Sequence, residues 1–258
     1  MSELVVIGSA SATPMPDRFC SAYALVVGSD IYFLDCGAPV GTLLYRVGLD
    51  PMAVKAIFVS HWHTDHVAGL PLLIFQLGLL ERTRPLWIYG PPGTASKVGQ
   101  SQAIGIIPPD WLSYECRTVD ATSEMWYDLS PVSIRFYHTT HLDRLKCESL
   151  RNPHDPSWVT AYGMVIRFGN SKLVYSGDCG SPEDAAPYVE GCDLLIHEMG
   201  HHQPEDIASF AERYHVPRLL ISHFDRDWND RSEEILKIAS SQYGGEIIVA
   251  RDGMKIPL

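Results

Sequence analysis

Short runs of apolar, mostly β-branched or aromatic residues alternate along the chain with groups of turn-forming residues, a pattern typical of β-strands. Eleven such runs predict strands. They are residues 4–7, 22–27, 31–34, 56–59, 86–89, 132–136, 164–168, 173–175, 194–196, 219–221 and 247–249. So many strands exclude a purely helical bundle.

Helical spacing of apolar residues appears in four segments, residues 40–47, 67–80, 205–214 and 233–243. Because amphipathic helices bury their apolar side against sheets, the pattern predicts an α/β protein whose sheets are covered by helices. Pro91-Pro92 and Pro108-Pro109 predict turns rather than linkers. Glu205 and Asp206 are expected to stabilise the start of the third helix.

Length and composition indicate one globular domain. The chain has 258 residues, 46% of them hydrophobic and 20% charged, and a single domain over residues 1–258 is expected. No stretch approaches the roughly 20 apolar residues of a membrane span. Since the first residues do not resemble a secretory signal, we expect a cytoplasmic protein without membrane association.

Charge and cysteine content narrow the classes of function. The six cysteines form no CxxC pair, so neither a disulfide framework nor a cysteine-type zinc site is expected. With 31 acidic against 20 basic side chains, the net charge of −11 disfavours a general nucleic-acid-binding surface. A local basic patch, and with it a nucleic-acid partner, is not excluded.

A faint internal repeat links two strand ends. The sequence Asp-Cys-Gly-Ala-Pro at residues 35–39 has a counterpart, Asp-Cys-Gly-Ser-Pro, at residues 178–182. Each lies ahead of a further apolar strand that leads to histidines. The repeat is either a duplicated half-domain or a coincidence, and its period is too long for a solenoid.

The strongest chemical signal is the run Ser-His-Trp-His-Thr-Asp-His at residues 60–66, directly after a predicted strand. A turn at the end of a buried strand directs His61, His63, Asp65 and His66 into one shared space. Imidazole and carboxylate are ligands that zinc takes at about 2.0 to 2.2 Å, and catalytic zinc sites keep a position open for water. The run therefore predicts a metal site.

Three more positions fit as completing ligands, because each ends an apolar strand. They are His141, Asp178 and His223. His138 competes with His141 for the middle position, and His141 is favoured.

This ordered set resembles the ligand set of the metallo-β-lactamase superfamily, and the resemblance covers essentially the whole chain. It implies a four-layer αββα sandwich with two metal ions in a cleft at one sheet edge. It further implies that one ion is held by His61, His63 and His141 and the other by Asp65, His66 and His223, with Asp178 bridging them. Zinc is expected, with manganese or iron as alternatives.

Within that superfamily the chain is most similar to the ribonuclease Z branch. The similarity lies in residues 8–14, in Arg18 and Ser21, and in residues 34–37, 88–93 and 175–178. Two departures weaken the inference about substrate. The Gly-Pro-rich arm with which that branch grips tRNA has no room between Gly163 and Asp178, and the usual His-Ser-Thr is replaced by residues 201–203, His-His-Gln.

The expected chemistry is hydrolysis. Two close metal ions lower the pKa of a bound water towards about 7 and so supply hydroxide at neutral pH. The catalytic assignments are Asp65 to orient that hydroxide and His201, oriented by Glu198, to protonate the leaving group, by resemblance to the branch's His-Glu pair and downstream histidine. His202 stays open as the alternative proton donor.

Residues 142–158 directly follow a ligand and carry Arg144, Lys146, Arg151 and His154. Such a loop is either a lid that binds an anionic substrate through its arginines or an ordinary solvated loop.

The leading hypothesis is a phosphodiesterase acting on a small or short-chain phosphodiester. The alternatives are hydrolysis of a lactone, β-lactam or thioester, tRNA 3′-processing, and a non-catalytic metal-binding module. The expected partner is a small anionic substrate, and a homodimer stays open.

Overall fold

Two seven-stranded mixed sheets lie face to face in the computed structural model, which describes residues 2–146 and 159–258. The strands are β1 Ser2–Gly8, β2 Ala22–Val27, β3 Asp30–Leu34, β4 Val54–Phe58, β5 Leu86–Gly90, β6 Cys116–Asp120, β7 Trp126–Asp128, β8 Val132–Thr139, β9 Ala161–Phe168, β10 Ser171–Tyr175, β11 Leu194–Glu198, β12 Arg218–Ser222, β13 Glu246–Val249 and β14 Lys255–Pro257. The α-helices are α1 Val40–Arg46, α2 Thr64–Val67, α3 Leu70–Leu79, α4 Thr94–Ile104, α5 Pro204–Arg213 and α6 Ser232–Ser240.

All eleven runs predicted as strands form strands, and the three strands that the pattern missed are all sheet edges. The first sheet has the order β14-β1-β2-β3-β4-β5-β6, and the second has the order β13-β12-β11-β10-β9-β8-β7. An edge strand needs no continuous apolar run, because one side lacks a neighbouring strand and side chains there are often charged. The missed strands β6, β7 and β14 accordingly are short, and each contains at least one charged residue.

The helix predicted over residues 67–80 is instead two helices, α2 and α3, separated at Gly69. A side chain at Gly69 is excluded, because its Cβ would lie 2.6 Å from the carbonyl oxygen of Gly37. Pro71 follows in the first turn of α3, where a missing N–H costs nothing. The break separates α2, which carries Asp65 and His66, from α3, which buries Leu73, Ile74 and Leu77. Helix α4 was also missed, because few of its residues are apolar and only Thr94 and Val98 are buried.

Side chains alternate between two apolar layers along the strands of the first sheet. On β1, Leu4 and Val6 face the second sheet, whereas Val5 and Ile7 pack with α1 and α3. The second sheet packs against α5 and α6 through residues such as Phe210. Helices therefore cover both outer faces, which gives the four α/β/β/α layers that the sequence predicted.

The two sheets repeat one pairing scheme. In each, antiparallel strands lead to a strand, β3 or β10, that pairs in parallel with the next strand. The repeated Asp-Cys-Gly motif directly follows β3 in one sheet and β10 in the other. The topology agrees with a duplicated half-domain and places Asp35 and Asp178 at equivalent strand ends.

Within the described residues, no helix has the length and apolar character needed to cross a lipid bilayer.

Candidate active site

The loops that follow β4, β8, β10 and β12 meet at one edge of the sandwich. They bring together all seven predicted ligands, which are His61, His63, Asp65, His66, His141, Asp178 and His223. His61 and His63 follow β4, whereas Asp65 and His66 lie on the short helix α2. His141 sits in a 3-10 turn after β8, and Asp178 and His223 follow β10 and β12. Parallel strands direct their carboxyl ends to the same edge, which explains the convergence.

The ligand atoms separate into two groups. In the first, His141 Nε2 lies 3.3 Å from His63 Nδ1, and His61 Nε2 lies 3.6 Å from Asp178 Oδ2. In the second, Asp65 Oδ2 lies 3.5 Å from His66 Nε2 and 3.8 Å from His223 Nε2. Such spacings suit atoms that share one ion at about 2.0 to 2.2 Å.

Asp178 lies between the two groups and turns one carboxylate oxygen towards each. Its Oδ2 is 3.7 Å from His141 Nε2, whereas its Oδ1 is 3.3 Å from Nε2 of both His66 and His223. The side chain is therefore placed as a bridge.

Several buried atoms at this centre have no hydrogen-bond partner: His61 Nε2, His66 Nε2 and Asp178 Oδ1. A buried polar atom without a partner costs about 1 to 3 kcal/mol, so such atoms require an explanation. Because imidazole nitrogens and a carboxylate oxygen are the unpaired groups, the residues fit divalent metal ions.

The electrostatics of the first group favour metal-binding protonation states. Burial lowers the pKa of His61 well below its usual value and that of His141 to about 4, so both rings are neutral and keep a lone pair. Burial alone would raise the pKa of Asp178, but the imidazoles of His223 and His66 outweigh it and hold the pKa well below its usual range. Asp178 is thus a carboxylate.

The pKa of His66 is shifted in the opposite direction from those of His61 and His141. Burial opposes its charged form, yet the carboxylates of Asp178 and Asp35 raise its pKa well above the usual value. In the absence of a cation, a proton on this ring neutralises part of the acidic charge, and metal binding releases it.

Asp35 supports the centre from behind and was not among the predicted site residues. Its Oδ2 accepts hydrogen bonds from Tyr175 Oη at 2.6 Å and Ser60 Oγ at 2.8 Å, and lies 2.7 Å from His66 Nδ1. Its Oδ1 accepts the backbone N–H of Ser60 at 2.7 Å. The carboxylate therefore fixes the tautomer and orientation of His66. The repeated Asp-Cys-Gly motif was the sequence signal that marked this position.

Replacement of Asp35 by asparagine is expected to lower metal affinity by roughly 10- to 100-fold, because an amide nitrogen cannot accept the three donors around Oδ2. Competition with a chromophoric chelator measures the affinity. Asp30→Asn, at the other end of β3 where Asp30 pairs with Lys55 and Arg84, is the matched control. Unchanged affinity in Asp35→Asn would show that Asp35 does not support the centre.

His138, the competing candidate for the middle ligand, lies away from the centre. Its Nε2 is 3.1 Å from Asp143 Oδ1 on the exposed surface. The structure thus places His141, and not His138, with the other ligands.

Glu198 holds His201 at the mouth of the centre. The buried carboxylate lies 3.0 Å from His201 Nδ1 through Oε1, and its Oε2 accepts the backbone N–H of His201 at 3.0 Å. The His201 ring is 4.7 Å from the ring of His141 and is 44% exposed. His202 turns inwards instead, with Nε2 only 3.1 Å from the carbonyl oxygen of Cys179. Of the two histidines, only His201 therefore faces incoming substrate.

The predicted lid at residues 142–158 lies mostly outside the described residues. Of its basic side chains only Arg144 is described, and it is exposed. Glu205 and Asp206 lie in the first turn of α5, as expected of residues that stabilise a helix start.

Comparison with known proteins agrees with this geometry. A family model described as "Anti-Pycsar protein Apyc1" matches residues 2–223. Ribonuclease Z of Methanothermobacter thermautotrophicus is 27% identical over 93% of this chain and 91% of its own.

Two solved structures share the fold. The metallo-β-lactamase fold protein YhfI from Bacillus subtilis matches with a TM-score of 0.77 and 22% identity over 98% of both chains. The short form of human tRNase Z matches with a TM-score of 0.75 and 22% identity, over 99% of this chain and all of that one. These likenesses confirm the predicted metallo-β-lactamase sandwich.

Proposed function

The chain belongs to the family of the anti-Pycsar protein Apyc1 and is a metal-dependent hydrolase of the metallo-β-lactamase superfamily, and from this premise we propose that it hydrolyses small phosphodiesters at a centre of two zinc ions. The observation that carries the proposal is the position of Asp178. Its two oxygens face separate groups of ligands, an arrangement that a site for one ion does not need.

Two divalent ions bound there would supply hydroxide at neutral pH and stabilise the charge that develops in the transition state. The protein's own groups aim the attack. The Asp65 carboxylate is only 7% exposed and lies in the second group of ligands. There it accepts a hydrogen bond from the attacking water and fixes the direction of attack.

His201 is proposed as the general acid. The hydrogen bond from its Nδ1 to Glu198 raises the pKa of His201 to about 9, so the ring is protonated at neutral pH. With Nδ1 occupied, Nε2 is the nitrogen that donates a proton to the departing oxygen. Glu198 acts through His201 and is a positioning residue.

The preference for a small substrate rests first on the connection between β9 and β10. These strands end at Phe168 and begin again at Ser171, so only residues 169 and 170 join them. No tRNA-gripping arm occupies the described segment 161–178. The excess of 31 acidic over 20 basic side chains also weakens attraction to a polyanion.

Processing of tRNA 3′ ends is the second candidate, because a relative that aligns with 93% of the chain is named ribonuclease Z. The shared centre would serve either phosphodiester equally, so the size of the substrate must be tested directly. Acyl substrates such as lactones, thioesters and β-lactams form a third class, since the same hydroxide attacks acyl carbon.

Catalytic efficiency should be at least about 100-fold higher on bis(p-nitrophenyl) phosphate than on a 3′-extended tRNA at physiological salt, because every additional phosphate contact depends on basic side chains. Zinc-loaded protein is assayed on both, and on lactone, thioester and β-lactam reporters. A chelator-treated sample is the control for contaminating activity. Accurate and efficient 3′ cleavage of the tRNA would overturn the small-substrate proposal, and faster lactone turnover would overturn the phosphodiester class.

A further inference from the structure

A second cluster of metal-binding side chains lies directly behind the centre, around Cys179. Its Sγ lies 3.3 Å from His202 Nε2 and 3.8 Å from Glu198 Oε1, and the latter two atoms are 3.4 Å apart. Cys179 and Glu198 are each 2% exposed. The cluster shares no member with the seven ligands of the main centre.

These distances match one tetrahedral zinc ion. With Zn–S near 2.3 Å and Zn–N and Zn–O near 2.1 Å, tetrahedral angles place sulfur about 3.6 Å from nitrogen or oxygen, and nitrogen about 3.4 Å from oxygen. The observed spacings of 3.3, 3.8 and 3.4 Å lie within about 0.3 Å of these values. A thiol hydrogen bond explains each sulfur contact singly, but it does not require all three atoms to lie within 3.8 Å of one another.

His197 lies beside the three-residue cluster as an acceptor for the Cys179 thiol. Its Nδ1 lies 2.7 Å from the carbonyl oxygen of Glu198 and donates to it, so Nε2 carries a lone pair. This Nε2 is 3.9 Å from Cys179 Sγ. Burial lowers the pKa of His197 to about 4, which keeps the ring neutral.

We propose that Cys179, Glu198 and His202 form a separate binding site for one further zinc ion, with water in the fourth position, and that its occupation inhibits the enzyme. The thiol proton leaves to solvent when sulfur binds the cation. The proton of His202 moves from Nε2, which faces the Cys179 carbonyl oxygen at 3.1 Å in the metal-free protein, to Nδ1, so that Nε2 can bind the ion. Entry is from the side of His202, whose side chain is 9% exposed.

Inhibition follows from the dual use of Glu198. The Oε1 atom that a third ion would bind is the atom 3.0 Å from His201 Nδ1. A cation bound to this oxygen competes with His201 Nδ1 for it, so the His201 ring loses the hydrogen bond that orients it towards the leaving group. This effect rests on the proposed acid role of His201, whereas the binding itself does not.

Cobalt distinguishes the third site from the main centre, because among the described residues the third site contains sulfur and the main centre does not. Metal-free protein is titrated with Co²⁺ while the near-ultraviolet absorption is followed. The first two equivalents should give only visible d–d bands from nitrogen and oxygen ligands. A thiolate-to-cobalt charge-transfer band should grow with the third equivalent.

Cys179→Ser should lose the charge-transfer band and keep the d–d bands of the first two equivalents. Cys192→Ser, which changes another buried cysteine away from the cluster, should keep both. His202→Gln provides a second variant, in which the third equivalent should bind at least about ten-fold more weakly. No charge-transfer band in the wild-type protein, or one that persists in Cys179→Ser, would overturn the site.

The inhibitory role is tested by measuring hydrolysis in excess zinc. Hydrolysis of a phosphodiester with a poor leaving group should slow towards the roughly 10²- to 10⁴-fold loss that follows removal of a general acid. The hydrolysis rate of Cys179→Ser in excess zinc should stay close to the rate of the same variant at two equivalents of zinc. If the cobalt band appears but excess zinc does not inhibit hydrolysis, the binding site is supported and its inhibitory role is wrong. Because the cobalt titration needs no catalytic activity, its result does not depend on the proposed hydrolysis.

Discussion

Asp178→Ala is expected to release both metal ions and abolish hydrolysis, with a loss well beyond the roughly 100-fold that a supporting residue costs. Within residues 2–146 and 159–258, Asp178 is the one side chain whose two oxygens face both groups of ligands, at 3.7 Å from His141 Nε2 and 3.3 Å from His66 Nε2. Its removal also takes away one of the carboxylates that lie against the buried His66, which leaves Asp35 and Asp65. Elemental analysis after zinc loading and gel filtration measures the metal content of the protein.

The control for that experiment is Asp206→Ala, which removes an exposed carboxylate from the first turn of α5. It should retain two ions per chain and full activity. If Asp178→Ala also retains two ions, Asp178 does not bridge them. If the unaltered protein binds no more than one ion at saturation, the two-metal proposal is wrong.

Interior strands were predictable from sequence because they are buried on both faces and so require continuous apolar runs. The edge strands β6, β7 and β14 were not predictable from sequence. An edge strand is held by backbone hydrogen bonds to its one neighbour and needs no continuous apolar run. The sequence of β6, Cys-Arg-Thr-Val-Asp, has the polar composition of a solvated loop, and only its pairing with β5 identifies it as a strand.

The metal ligands were predictable because chemistry restricts their residue types and strand ends restrict their positions. Asp35 was harder to find, since an aspartate after a strand is also typical of an ordinary turn. Only the fold shows that Asp35 is buried against His66 and Ser60. The Cys179 cluster was equally hidden, because its members come from separate segments and contain no CxxC spacing.

The internal repeat explains why two similar motifs serve different roles. Asp35 and Asp178 occupy equivalent strand ends in the two sheets, yet Asp178 faces the ligand groups whereas Asp35 lies behind His66. Two strand ends with the same motif therefore supply one carboxylate that faces the ligand groups and another that orients His66. We expect the two positions to differ sharply on substitution, with the larger loss at Asp178.

His201→Ala is expected to slow hydrolysis of substrates with poor leaving groups by roughly 10²- to 10⁴-fold and to spare activated nitrophenyl esters. The reason is that an alkoxide leaves only when it is protonated, whereas nitrophenolate leaves unaided. Comparison of an alkyl phosphodiester with its nitrophenyl analogue measures the difference. His215→Ala, which removes an exposed histidine after α5, is the matched control and should affect neither substrate.

The pH dependence tests the same assignment. The hydrogen bond to Glu198 raises the pKa of His201 to about 9, so the donating form is present at neutral pH and is lost as pH rises through about 9. The rate on the alkyl substrate should therefore fall on the alkaline side. In Glu198→Gln the fall should begin at lower pH, because the carboxylate that raises the pKa of His201 is gone, and in His201→Ala it should disappear. Equal losses on both leaving groups, or an alkaline fall that stays in place without His201, would assign the proton to another donor.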